Sequence, residues 1–136
     1  PIDVNLEDKL KVLGLTIMDE NRKIVESVAP NKKLHLLTYY EVLAPITTDW
    51  EAFIHIDGYH RRHNGDHKPC SGKYAMTKWV VGDRIIDDSE FTLEPNFTSG
   101  DYTIFFGFWL GEGRMKVKSG PSDGDNRING GALRIR

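Results

Sequence analysis

The segment Tyr102–Leu110 constrains the fold more than any other part of the sequence. It reads Tyr-Thr-Ile-Phe-Phe-Gly-Phe-Trp-Leu, so apolar and aromatic residues occupy both alternating sets of positions. Successive side chains of a strand point to opposite faces, and a strand that is apolar on both faces must be covered on both. The segment therefore predicts a central strand, with Trp109 on a face that is partly exposed.

Other short segments rich in β-branched, aromatic or alternating residues lie between turn signals, and no segment has the periodicity of an amphipathic helix. Trp50–Asp57 alternates most cleanly and places His55 and Asp57 on one face, opposite Ile54 and Ile56. The pattern predicts an all-β fold, an immunoglobulin-like or jelly-roll-like two-sheet antiparallel sandwich. The further strands are predicted at Leu10–Met18, Lys23–Val28, Leu34–Val42, Arg84–Asp87, Glu90–Leu93, Arg114–Lys118 and Ala132–Ile135.

Length and composition limit the classes of function. The 136 residues suffice for one domain with a buried core, so we assign residues 1–136 to a single domain. A net charge of −2 gives no electrostatic basis for binding nucleic acid, and the apolar runs are too short for membrane insertion. Cys70 is the one cysteine, so no internal disulfide forms. Because the chain begins at Pro1, we expect it to be a fragment of a longer protein.

Three groups of motifs follow one another between Leu10 and Val117. They are Leu43–Pro45 with Trp50–Asp57, then Gly65–Pro69 with Gly72–Tyr74, Trp79 and Gly82–Asp83, then Leu93–Pro95 with Ser99–Tyr102 and Phe106–Phe108. Their order resembles the C-terminal extracytoplasmic β-sandwich domains of bacterial mannosyltransferase-like membrane glycosyltransferases. The chain departs from that pattern in its His-rich loop and at Ala75, where the family usually has proline.

The resemblance implies an accessory domain, and it does not transfer the glycosyltransferase chemistry of the membrane portion. It implies an extracytoplasmic location, on the periplasmic or cell-surface side, as part of a larger protein. The partners it implies are the membrane domain of the parent chain or a glycan.

A polar stretch from Gly58 to Gly72 has no periodicity and is predicted to be a long loop. Imidazole is the commonest side-chain ligand for transition metals, and histidines cluster in and just before this stretch. A divalent metal could be bound by these side chains if they converge; otherwise they belong to a polar surface loop. The candidate metal ligands are His55, Asp57, His60, His63 and His67.

Residues 119–129 form a second predicted loop, rich in Gly, Asp and Asn. Within it Asp123, Asp125 and Asn126 resemble the first half of a calcium loop, in which closely spaced oxygen ligands surround a glycine turn. The usual terminal glutamate is absent, so the alternative is an ordinary Asp-Gly turn.

Aromatic side chains can form platforms on which the apolar face of a sugar ring stacks. Tyr59, Tyr74 and Trp109 are the candidates for such contacts with a ligand, and the alternative for each is packing in the core.

Catalysis by a nucleophile has little support, because Cys70 and His67 are close only in sequence. We therefore predict no catalytic residues, no enzyme activity of this chain, and no cofactor other than a metal at the His-rich loop or calcium at 123–129. The favoured function is a non-catalytic accessory or binding domain of a bacterial surface or membrane-associated protein, with a glycan or another part of its parent protein as ligand. The alternatives are a metal-dependent enzyme that uses the His-rich loop and a purely structural spacer.

Overall fold

The computed structural model describes every residue from Pro1 to Arg136 and confirms the all-β sandwich. Two short 3-10 turns, Pro69–Gly72 and Met76–Lys78, are its only helical elements. The strands are β1 (Val4–Leu6), β2 (Leu10–Met18), β3 (Ser27–Val28), β4 (Lys33–Val42), β5 (Glu51–Gly58), β6 (Arg61–Asn64), β7 (Arg84–Thr92), β8 (Gly100–Leu110), β9 (Gly113–Arg114), β10 (Val117–Ser119) and β11 (Ile128–Ile135).

The strands form two sheets. Sheet I has the order β10-β1-β2-β4-β7, and sheet II has the order β3-β11-β8-β5-β6, with β9 paired to the end of β8. All pairings are antiparallel except that of β3 with β11. Strand β8, which contains the predicted central segment, pairs with both β5 and β11, so its central position is confirmed.

Aromatic side chains fill the space between the two sheets. Tyr102, Phe106 and Phe108 project inward from β8 and are almost fully buried, as is Tyr40 from β4. The rings of Tyr40 and Phe108 lie 5.4 Å apart, which joins the two sheets directly. Complete burial of a side chain of this size contributes about 2 kcal/mol, so this layer is a main source of stability.

The structure corrects the long loop predicted from Gly58 to Gly72. Tyr59 and His60 both have positive φ angles of 51° and 56°, as in a tight two-residue hairpin turn. The chain therefore reverses at once into β6, which pairs with the end of β5. Arginine, histidine and asparagine in β6 carry little strand preference, and the pairing with β5 decides its structure.

Other strand boundaries also differ from the sequence prediction. Of Lys23–Val28 only Ser27–Val28 forms a strand, and the two pieces predicted within 84–93 are one continuous strand, β7. Strand β11 begins at Ile128, because residues 128–129 already pair with β8 across a register shift. The structure contains no helix with the length and hydrophobicity that a membrane span requires.

Candidate functional site

The outer face of sheet II carries the most unusual surface of the molecule. Ile54 and Ile56 of β5 point into the core, so Phe53 and His55 point outward, and Gly107 and Trp109 of β8 share that outer face. Gly107 is required here, because a Cβ atom at this position would lie 2.9 Å from Phe53 Cε2. The absent side chain lets Phe53 and the loop of residues 120–127 pack closely over the sheet.

Arg127 fixes this loop on the sheet. Its Nη1 donates to Asp57 Oδ2 at 2.9 Å, and its Nε donates to the carboxylate of Asp123. The guanidinium also lies over the ring of Phe105, with Cζ 4.0 Å from the ring centroid. The side chain of Arg127 is only 15% exposed, so these contacts are largely shielded from solvent.

A cavity of about 510 Å³ opens between this loop, the β8–β9 hairpin and the outer face of β5. We call it the outer groove. The residues of its lining that can make ionic, hydrogen-bonding or stacking contacts with a ligand are His55, Asp66, Trp109, Glu112, Arg114 and Asp125. Polar groups dominate the groove, and the partly exposed indole of Trp109 is its main apolar surface.

Trp109 is unusual because its indole nitrogen Nε1 is buried and has no hydrogen-bond partner. It is the only buried side-chain nitrogen or oxygen of the protein in this condition. Buried polar groups in native proteins are nearly always paired, and an unpaired one points to strain or to a partner outside the chain. A residue of the groove lining thus carries the one buried side-chain polar atom that has no partner.

His55 is 7% exposed and lines the same groove as Trp109, with the Phe53–Gly107 pair between them along the sheet. Burial, together with the nearby guanidinium groups of Arg62 and Arg127, lowers the pKa of His55 to about 4. Arg127 Nη1 lies 3.3 Å from His55 Nδ1, and a guanidinium can only donate. Nδ1 is therefore the acceptor, and Nε2, which makes no hydrogen bond within the chain, carries the proton as a donor.

Three carboxylates line the groove without a hydrogen bond or ion pair, those of Asp66, Glu112 and Asp125. The one guanidinium of the lining belongs to Arg114, which is occupied by the protein itself. Arg114 Nη1 donates to the backbone carbonyl of Asp125 at 3.0 Å, and its Cζ lies 4.9 Å from the centroid of Phe53. The free polar groups of the groove are thus mainly acceptors.

The structure does not bring the predicted metal ligands together. His55 and Asp57 lie on the outer face of sheet II, whereas His63 pairs with Ile56 on the inner face. His60 is exposed in the hairpin turn, and His67 lies beyond β6. No group of three or more His, Cys, Asp or Glu side chains has a geometry that could hold a metal ion. The alternation of a strand separates residues that are near in sequence.

His67 has a different partner, Asp87 of β7. Its Nε2 donates to Asp87 Oδ2 at 2.7 Å, and its Nδ1 donates to the carbonyl of Gly65 at 2.8 Å. Burial lowers the pKa of His67, but the hydrogen bond and charge of Asp87 outweigh it and raise the pKa above its ordinary value. Both nitrogens are occupied, so His67 has no lone pair to offer a metal.

The predicted calcium loop is held by an arginine. The carboxylate of Asp123 accepts from the backbone N–H groups of Asp125 and Arg127 and pairs with the Arg127 side chain. Asn126 Oδ1 accepts from the backbone N–H of Val117 at 3.0 Å. Arg127 supplies the positive charge in this loop, the side-chain oxygens of Asp123 and Asn126 already accept hydrogen bonds, and only the carboxylate of Asp125 accepts none.

The predicted ligand-binding aromatics also separate. Trp109 lines the outer groove, whereas Tyr59 packs against Tyr102 at 5.2 Å and accepts from the backbone N–H of Asp101. Tyr74 donates to Asp83 Oδ2 at 2.8 Å and packs near Trp79. Tyr59 and Tyr74 thus serve the packing of turns, and only Trp109 belongs to the candidate site.

Sequence reasoning missed Asp66, Glu112 and Arg114 as site residues. Glu112 lies between Gly111 and Gly113, a segment interpreted only as a hairpin turn. A charged residue between two glycines, directly after the most apolar strand, is the signal that could have identified this side of the groove.

The comparisons with known proteins concern the fold. No protein-family model matches the chain, and no curated protein matches it. Among solved structures the chain is similar to a Niemann-Pick type C2 protein from Japanese carpenter ant, with a TM-score of 0.58 and 13% sequence identity. The match covers 98% of this chain and 97% of that one. This likeness supports an immunoglobulin-like β-sandwich.

Proposed function

We propose that this chain is a non-catalytic binding domain that holds a glycan in the outer groove. The observation that carries the proposal is Trp109, a partly exposed indole with an unpartnered N–H in a groove that is otherwise polar. The flat apolar face of a sugar ring stacks on such an indole, while its hydroxyls require donors and acceptors around the rim. His55 Nε2 supplies a donor, and the groove carboxylates supply acceptors.

The size and position of the groove agree with this proposal. Pockets for small ligands have volumes of about 300–1,000 Å³, and the outer groove lies within that range at about 510 Å³. It is built on paired strands and a loop anchored by Arg127, so its walls are held in place before a ligand arrives. A preformed site loses less conformational entropy on binding.

The chemistry of the candidate groups favours binding over catalysis. His55 has a pKa of about 4, and its acceptor nitrogen is occupied by Arg127, so it does not act as a base near neutral pH. Burial raises the pKa of the Cys70 thiol to about 11, which keeps it protonated and unreactive.

The wider context of the domain follows from the sequence resemblance and is part of the proposal. The domain would be an accessory module on the extracytoplasmic side of a bacterial membrane glycosyltransferase and would contact its membrane portion or the glycan. The sequence of the parent gene tests this context: many membrane-spanning helices upstream would support it, and their absence would contradict it.

Glycan-array screening followed by calorimetry tests the binding function. We expect that a glycan binds the purified chain and that its affinity falls about fivefold or more in Trp109→Ala, because stacking on an aromatic ring contributes about 1 kcal/mol or more. Trp109→Phe keeps a ring and should retain most of the affinity. Tyr59→Phe, outside the groove, is the matched control. Failure of every glycan to bind would favour the spacer alternative.

A further inference from the structure

The charge of the outer groove narrows the class of its ligand. Asp66, Glu112 and Asp125 place three carboxylates around one cavity, and none of them has a partner in the protein. Arg114 is the single cation of the lining, and the carbonyl of Asp125 and the ring of Phe53 already occupy it. The open surface of the groove is therefore negative, although the whole chain carries a net charge of only −2.

One buried group of the groove is a hydrogen-bond donor, in contrast to the carboxylate acceptors. His55 is more than nine-tenths buried, and its Nε2 makes no hydrogen bond in the chain and is reachable from the groove. Because Arg127 donates to Nδ1, Nε2 is a neutral donor that requires an acceptor. A hydroxyl or ring oxygen of a ligand provides that acceptor, whereas a cationic group cannot.

We infer that the preferred ligand is an amino sugar, a glycan unit with a protonated free amine. Its ring would stack on Trp109, a hydroxyl oxygen would accept from His55 Nε2, and its ammonium group would lie among Asp66, Glu112 and Asp125. This inference rests on the proposed function and adds the chemical class of the ligand. A neutral sugar leaves the carboxylates unpaired, and an acidic sugar meets repulsion from them.

Three oligosaccharides of equal length and linkage separate these possibilities. They are β-1,4-linked glucosamine, N-acetylglucosamine and glucose oligomers, which differ only in the group at carbon 2 of each unit. Calorimetry at slightly acidic pH, where the amine is protonated, should show the glucosamine oligomer binding about tenfold more tightly than the glucose oligomer. Added salt should weaken the first and leave the second nearly unchanged.

A variant without the three carboxylates tests whether they cause the preference for the amine. In Asp66→Asn/Glu112→Gln/Asp125→Asn the affinity for the glucosamine oligomer should fall to that for the glucose oligomer. Each carboxylate that is removed should lower the affinity by up to about fivefold. The matched control is Asp3→Asn/Glu20→Gln/Glu26→Gln, which removes the same charge from exposed positions outside the groove. It should keep the preference for the amine.

The outcomes distinguish this inference from the function on which it rests. Equal, Trp109-dependent affinities for all three oligomers would overturn the amino-sugar preference and leave glycan binding intact. A preference that survives in the groove variant, or disappears in the control, would also overturn it, because the attraction would then be a general surface effect. Absence of binding by any glycan would refute the proposed function itself.

Discussion

The polar groups of the outer groove and those of the segment of residues 67–72 differ in how many partners they have within the protein. In that segment, which we call the edge segment, His67 exchanges backbone hydrogen bonds with Ala52 of sheet II. Its side chain pairs with Asp87 of sheet I, which also accepts from the backbone N–H of Cys70 at 3.0 Å. The edge segment therefore joins the two sheets along one side of the sandwich, and both imidazole nitrogens of His67 and the backbone N–H of Cys70 have partners within the protein.

The outer groove leaves several of its polar groups without partners. Trp109 Nε1, His55 Nε2 and the carboxylate of Glu112 make no hydrogen bond in the chain. Both regions contain histidines from the same cluster in the sequence, but one has its pKa raised and the other has it lowered to about 4. The contrast agrees with a structural role for the edge segment and with the binding role that we propose for the outer groove.

The largest effect should follow from Asp87→Ala. Asp87 is 1% exposed, and its loss leaves the His67 imidazolium and the Cys70 N–H without their acceptor. Removing one partner of a buried charge pair costs about 3 kcal/mol. Urea denaturation measures this loss, with Asp101→Ala as the control, because the Asp101–Arg134 pair is more than half exposed and worth little. A loss under about 1 kcal/mol for Asp87→Ala would contradict the structural role of the edge segment.

The contrast also shows how far the sequence could predict this protein. Alternation in Tyr102–Leu110 and Trp50–Asp57 was sufficient to predict the central strands and their buried faces, because every second residue of a strand shares a face. It could not predict β6, whose polar residues form a strand only because β5 offers an edge to pair with. Strands specified by their neighbours rather than by their own residues carry no local signal.

The site was predicted in part. Trp109, predicted from the sequence as a residue that contacts a ligand, lines the outer groove, and both polar loops contribute to the groove through Asp66 and Asp125. The metal set failed to converge because β5 and β6 place His55 and His63 on opposite faces of sheet II. Such a separation depends on the register between strands, and register is not visible in the spacing of histidines along the chain.

Arg127→Gln should have the second-largest effect. It removes the ion pairs to Asp57 and Asp123 and the contact with Phe105, at a cost of about 2 kcal/mol. The loss should be local, so amide hydrogen exchange in residues 120–127 should accelerate while exchange in β2 and β4 changes little. Arg134→Gln, in an exposed pair, is the control. Unchanged protection in the loop would mean that Arg127 is not its anchor.

The two histidines should give opposite pH dependence. The pKa of His55 is about 4 in the folded chain and near 6.5 when unfolded, so between these values the unfolded state binds more protons. Stability should therefore fall as the pH drops from about 6.5 to about 4, and His55→Gln should flatten this slope. Urea denaturation across that pH range is the measurement.

His67 behaves in the reverse sense. Its pKa is raised above 6.5 in the folded chain, so its stabilisation is complete below the unfolded pKa and is lost as the pH rises through the folded value. His67→Gln should remove that alkaline loss and leave the acid slope of His55 in place. If both variants change the pH dependence of the free energy of unfolding in the same pH range, the assignment of one neutral and one charged histidine is wrong.

The smallest effect should come from Glu112→Gln. Glu112 has no partner within the chain, so its replacement should change the free energy of unfolding by no more than about 0.5 kcal/mol. The change should even be slightly stabilising, since Asp66 and Asp125 repel the charge that is removed. Urea denaturation of Glu112→Gln and of Asp87→Asn gives the comparison. Both variants replace a carboxylate by an amide, but the carboxylate of Glu112 is unpartnered and that of Asp87 is paired with His67. A loss above about 1 kcal/mol would show that Glu112 supports the fold, and the groove carboxylates would then not be free for a ligand.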